Sequence, residues 1–130
     1  MIVADASAIL EVLLQTDAAP RVEARLFAPG ESLHAPHLLD VEVAQVLRRY
    51  AARRELAPPR GRSALELLAR FPITRYPHAP LLDRIWALRG NLTAYDAAYV
   101  ALAEGLGATL VTRDERLASA SGHRARVDVV

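Results

Sequence analysis

The chain has 130 residues, enough for one domain with one core and too few to expect two, so residues 1–130 are read as a single domain. It has no cysteine, which excludes a disulfide framework and a thiolate metal site, and its four histidines are too scattered to resemble a zinc site. The net charge of +1 favours no class of partner, but all 16 cations are arginine, so any mechanism that needs a catalytic lysine is excluded.

In chain order, Ile2, Val3 and Ala4 run straight into Asp5. A short apolar run without polar alternation reads as a strand buried on both faces, the habit of a central strand in a parallel sheet. Asp5 then stands at the strand's carboxyl end, where open α/β sheets bind ligands. The plainer role for Asp5 is that of a turn or cap residue. Ser7 is the expected cap of a first helix through Leu10, Val12, Leu13 and Leu14. Pro20 suits the first turn of a second helix from Val22 to Ala28, stopped by Pro29 and Gly30. Ser32 to Ala35 reads as a strand closed by Pro36, and a long helix follows with Leu39, Val43, Val46, Leu47 and Tyr50 as its apolar stripe. Arg48, Arg49, Arg53 and Arg54 lie mostly off that stripe, and the helix ends before Pro58 and Pro59.

Ser63 to Arg70 is expected to be helical, Ile73 to Tyr76 an edge strand between prolines, and Pro80 to Leu88 a helix holding Trp86. Thr93 is a good cap for an Ala-rich buried helix from Ala94 to Glu104, stopped by Gly105 and Gly107. Thr109 to Thr112 repeats the apolar strand pattern and leads into Arg113 and Asp114, before a short helix from Glu115 to Ser119 and a strand from Val127 to Val130. Alternating strands and helices predict an α/β fold, a parallel sheet with helices on both faces joined by right-handed crossovers. No stretch approaches transmembrane length and the start carries no basic leader, so a cytoplasmic protein without a membrane partner fits.

Acids away from the surface carry the functional signal, because an ionised carboxylate is rarely buried without a partner. Asp5 and Asp114 occupy equivalent places past the ends of two apolar strands. Asp96 lies in the first turn of the buried helix, in phase with Tyr99, Val100 and Ala103; its plainer reading is an acid complementing the helix dipole. Glu42 and Asp40 flank the long helix's stripe on opposite sides about equally, and periodicity does not choose between them. Carboxylates sharing one crevice repel, and the usual remedy is a hard cation. Oxygen ligands without His or Cys favour Mg²⁺ or Mn²⁺, which activate water for phosphate chemistry.

These residues together resemble the PIN-domain family, and within it the VapC-like ribonuclease toxins. The resemblance runs through Val3-Ala4-Asp5-Ala6-Ser7, Pro36 to Glu42 with Leu47-Arg48-Arg49, Leu92-Thr93-Ala94-Tyr95-Asp96-Ala97 with Ala101-Leu102-Ala103-Glu104, and Leu110-Val111-Thr112-Arg113-Asp114. It implies a three-layer PIN-like fold and a Mg²⁺-dependent endoribonuclease that leaves 5′-phosphate and 3′-hydroxyl ends. It also implies Asp5, Glu42, Asp96 and Asp114 as the metal-binding acids, choosing Glu42 over Asp40, with Ser7 and Thr112 as the hydroxyls beside the first and last of them. The partners implied are an RNA substrate, a second copy of the chain in a homodimer, and a small antitoxin that occludes the crevice, often with a basic side chain. Many relatives have another acid shortly after the last, where this chain continues Glu115, Arg116, Leu117. Arg113 is the first candidate for RNA contact, followed by Arg48, Arg49, Arg53 and Arg54. An aspartyl-phosphate enzyme fits worse, since the phosphatase type needs an acid where Ser7 stands and the receiver type needs a lysine. The remaining alternative is a PIN-like module that binds RNA or protein without cutting.

Overall fold

A computed structural model describes every residue, Met1–Val130. Five parallel strands, β1 (Ile2–Ala4), β2 (Leu33–Pro36), β3 (Ile73–Tyr76), β4 (Thr109–Thr112) and β5 (Arg126–Val129), form one sheet in the order β3-β2-β1-β4-β5. Seven α-helices cover its two faces: α1 (Ala6–Leu13), α2 (Ala19–Leu26), α3 (Leu38–Ala52), α4 (Pro58–Arg70), α5 (Leu82–Ala87), α6 (Ala94–Leu106) and α7 (Glu115–Ser119). The three-layer α/β fold expected from the sequence is therefore present.

Strand alternation divides the core. Ile2, Ala4, Leu33, Ala35, Ile73 and Val111 face one layer, where they pack with Ile9 and Val12 of α1, Val22 of α2, Leu39, Val43 and Leu47 of α3 and Leu68 of α4. Val3 and Leu110 face the other, against Tyr99, Val100 and Ala103 of α6 and Leu117 of α7. Ile2, Val3, Leu110 and Val111 are fully buried, each side chain contributing about 1.5–3 kcal/mol by leaving water. Ala97 to Ala103 are seven consecutive buried residues, so α6 lies nearly enclosed between the sheet and α5.

Several boundaries differ from the sequence expectation for identifiable reasons. Helix α2 begins at Ala19 with Pro20 inside its first turn, and it ends at Leu26 because Phe27 leaves the helix and its ring packs edge-on against Phe71 at 5.8 Å. Helix α4 starts at Pro58 rather than Ser63, since prolines at the first helical positions forgo only N–H groups that have no intrahelical partner. Strand β2 reaches Pro36, and β5 runs from Arg126. The Pro80 segment opens as a 3₁₀ turn, Ala79–Leu81, before α5. Helix α6 passes through Gly105 to Leu106, and Gly107 ends it at φ +64, a left-handed conformation that glycine adopts without strain.

The sheet order places a topological switch between β1 and β4. The chain steps outward from β1 to β2 and β3, then returns to the other side of β1 for β4 and β5. The crevice at the carboxyl ends of β1 and β4 is where such sheets bind ligands, and Asp5 and Asp114 follow those two ends.

Candidate active site

Asp5 leaves β1 with extended backbone (φ −91, ψ 171) and is itself the N-cap of α1, its Oδ1 accepting the Ala8 N–H at 3.2 Å. This corrects the assignment of the cap to Ser7, which lies inside the first turn and uses its hydroxyl differently. The Ser7 hydroxyl donates to Asp5 Oδ1 at 2.6 Å, and Ser7 Oγ accepts the Arg113 N–H at 2.9 Å. Thr112, fully buried at the end of β4, donates to Asp5 Oδ2 at 2.6 Å and accepts the Asp114 N–H at 3.0 Å. Two hydroxyls thus hold Asp5 across the switch point. Capping and facing the crevice are compatible in Asp5 because one oxygen caps while the other turns to β4.

Asp5, Glu42, Asp96 and Asp114 line one open cavity of about 450 Å³. Helix α3 supplies Glu42, and the first turn of α6 supplies Asp96, with Thr93 capping that helix through the Asp96 N–H at 3.2 Å. Burial raises the Asp5 carboxyl above its ordinary value against the opposing effect of its hydrogen bonds. Burial, then the charges of Asp5 and Asp96, raise Glu42. Burial, then the charge of Asp114, raises Asp96. The Glu42 carboxyl and the Tyr99 hydroxyl lie close together, yet Glu42 Oε1 and the Tyr99 hydroxyl are each left without a hydrogen bond of normal geometry. An all-oxygen set of mutually repelling carboxylates with one oxygen unpartnered suits a hard divalent cation. In this arrangement no three acids converge to cation-binding distance. Asp114 is turned onto Arg116, which pulls its carboxyl below the ordinary value.

The flanking acid left open by periodicity lies elsewhere. Asp40 holds Arg75 of β3 through two bonds of 2.8 and 2.9 Å, beside α4 and away from the cavity. Glu115 is exposed and does not line the cavity. Arg113 does line it, with its guanidinium tied to Glu11 at 3.3 Å and to the Val130 carbonyl. Arg49 lines the cavity as well, whereas Arg48 faces the groove between α3 and α4, and Arg53 and Arg54 are exposed beyond α3. Glu11, Tyr50, Tyr99 and Arg116 also line the cavity, and the sequence does not mark them as site residues. Tyr99 has the phase of Asp96 and passes for core, and Arg116 passes for a solvated cation two residues after an acid.

Residues 2–122 match the family described as PIN domain. The chain belongs to the PIN-domain family. This PIN domain is 48% identical over 130 residues to ribonuclease VapC9 of Mycobacterium tuberculosis, a match covering 100% of this chain and 98% of that one. It is 42% identical to ribonuclease VapC12 of the same organism, covering 100% and 99%. Among solved structures, PAE2754 from Pyrobaculum aerophilum superposes with a TM-score of 0.73 at 26% identity, covering 99% of this PIN domain and 83% of that chain. VapC20 of Mycobacterium tuberculosis, a sarcin–ricin-loop-cleaving toxin, gives a TM-score of 0.69 at 14% identity over 95% and 97%, a likeness of fold.

Proposed function

We propose that this PIN domain is a divalent-metal-dependent endoribonuclease, with Mg²⁺ or Mn²⁺ as its ion, and the toxin of a toxin–antitoxin pair. The observation that carries the reading is the meeting of Asp5, Glu42, Asp96 and Asp114 on one cavity at the switch point, with Glu42 Oε1 unpartnered. Full-length identity to chains named VapC ribonucleases supports the substrate class. A divalent cation held by these acids would supply an activated water and offset charge on the leaving oxygen. The chain's own groups orient that centre: Ser7 and Thr112 fix both oxygens of Asp5, Ala8 N–H holds the same carboxylate, and Thr93 secures the turn that carries Asp96. Arg49 and Arg113 at the cavity wall place positive charge where a phosphate backbone would enter.

A small antitoxin as partner is supported by the structures whose fold this chain shares, among them VapBC2 from Rickettsia felis bound to a promoter DNA fragment. Val41, Leu82, Trp86 and Tyr95 leave large apolar side chains exposed, surface that a homodimer would cover. No helix is long and apolar enough to cross a membrane, which fits a cytoplasmic protein. The test is cleavage of a structured RNA by purified protein with Mg²⁺, Mn²⁺ or EDTA. Cleavage should require the ion, and RNA binding without cleavage under every condition refutes the enzyme in favour of a binding module.

A further inference from the structure

The four acids differ in what they already hold. Asp5 is occupied by two hydroxyls and one backbone N–H, while Glu42 Oε1 has no partner. Asp114 alone among them meets a cation. Arg116 Nη2 lies 2.7 Å from its Oδ2, Arg116 Nε lies 3.1 and 3.2 Å from Oδ1 and Oδ2, and the Arg116 backbone N–H donates to Oδ1 at 2.9 Å. An ionised carboxylate offers about four lone-pair sites, and three Arg116 N–H groups face them, with Nε–H shared between the two oxygens. A divalent ion that takes Asp114 directly therefore competes with the guanidinium for both of its oxygens.

The surroundings allow the guanidinium to be displaced. The Arg116 side chain is 87% exposed, so neighbouring groups do not pin it in place. The other cations of the cavity do not share its role. Arg113 is committed to Glu11 and the Val130 carbonyl, and Arg49 makes no ion pair. Arg116 also follows an acid that caps a helix of only five residues, so no longer helix fixes the pair.

We propose that Arg116 is the resident counter-cation of the site: it occupies Asp114 in the metal-free protein and competes with the divalent ion for that carboxylate. It is a positioning residue, setting a weaker metal affinity than the acids alone would give and keeping Asp114 from repelling Asp96 before the ion arrives. This rests on the reading of the four acids as a metal site.

Mn²⁺ binding followed by electron paramagnetic resonance on the whole chain tests it, comparing wild type with Arg116→Gln, Arg116→Lys and Arg49→Gln. Arg116→Gln should bind Mn²⁺ about 1.5- to 5-fold more tightly, the range set by an exposed ion pair. The gain should shrink between about 0.05 M and about 0.5 M salt as the competing pair is screened. Arg116→Lys, which keeps the charge but loses the two-pronged fork, should lie between, and it carries the test if the glutamine variant folds poorly. Arg49→Gln removes the same charge from the same cavity without freeing an acid, and should tighten binding less. Unchanged or weaker binding by Arg116→Gln overturns the counter-cation and leaves the metal site standing. Equal tightening by Arg49→Gln also overturns it, in favour of a general field effect. Absence of Mn²⁺ binding in every variant overturns the metal site and the counter-cation together.

Discussion

Asp40 and Glu42 stand two residues apart on α3, and swapping each carboxylate for its amide should produce opposite outcomes. Asp40 grips Arg75 by two bonds, with side chains 42% and 22% exposed, so the pair is partly screened and contributes about 0.5–1 kcal/mol. In Asp40→Asn the guanidinium keeps the Leu68 and Ile73 carbonyls, each at 3.3 Å, which limits the loss. For a chain of this size about 1 kcal/mol corresponds to about 3–5 °C, so Asp40→Asn should melt a few degrees lower and keep its cleavage rate. Glu42 has no comparable bond to lose. Burial and the charges of Asp5 and Asp96 disfavour its ionised form, and Oε1 is unpartnered, so Glu42→Gln should melt at or above wild type in EDTA. Its cleavage rate should fall by about 100-fold or more, because even residues that only support a metal's ligands cost 10–100-fold when replaced. The assay is thermal melting in EDTA beside initial cleavage rates at saturating Mg²⁺. Equal loss of activity in both variants, or a Glu42→Gln protein that melts well below wild type without metal, would refute the division of roles.

Asp5→Asn should lose cleavage while staying within about 1 kcal/mol of wild type, because asparagine caps as well as aspartate and the Thr112 hydroxyl can reverse its bond. Asp5→Ala should cost about 1–3 kcal/mol, since it strands the Ala8 N–H and the buried Thr112 hydroxyl; equal melting of the two variants sinks this account. His34 is buried between the Ser32 and Tyr76 hydroxyls, and burial, aided by the charged N-terminus, lowers its pKa below the ordinary 6.5. The unfolded chain then takes up the proton first, so this contribution to stability is complete above the unfolded value and is lost as pH falls below it. His34→Gln should flatten the decline in melting temperature between about pH 7 and about pH 5 relative to wild type, and parallel curves for the two proteins would contradict it.

The strands were legible because β1 and β4 are buried on both faces, which leaves an uninterrupted apolar run, and the helices because their stripes and stop residues are local. What resisted reading depends on partners distant in sequence. The choice between Asp40 and Glu42 turns on Arg75, a β3 residue 35 positions from Asp40 that a helical wheel of α3 cannot show. Local sequence does not choose the cap of α1, because Asp5 and Ser7 are both good capping residues; the decision lies in Thr112, which draws Asp5 into place from 107 residues away. Pro58 and Pro59 follow the end of one helix and are equally the beginning of the next. Its place beside Asp114 makes Arg113 a candidate for RNA contact, but its guanidinium is largely engaged by Glu11 and Val130, partners 102 and 17 residues away.

The position of β1 bears on when the crevice is completed during synthesis. In chain order β1 comes before the other four strands yet is the middle strand of the sheet, and its neighbour β4 follows more than a hundred residues later. At ribosomal speeds of about 5–20 residues per second, Asp5 waits about 5–20 s for Thr112 and Asp114 to exist. During that interval Glu42 and Asp96 are added, but Asp5 stands at an open sheet edge and the crevice between β1 and β4 is not closed. A prematurely terminated product that stops before β4 lacks the wall on which Asp5 is held. In a sheet arranged in this way the crevice beside Asp5 closes only once β4 has been made.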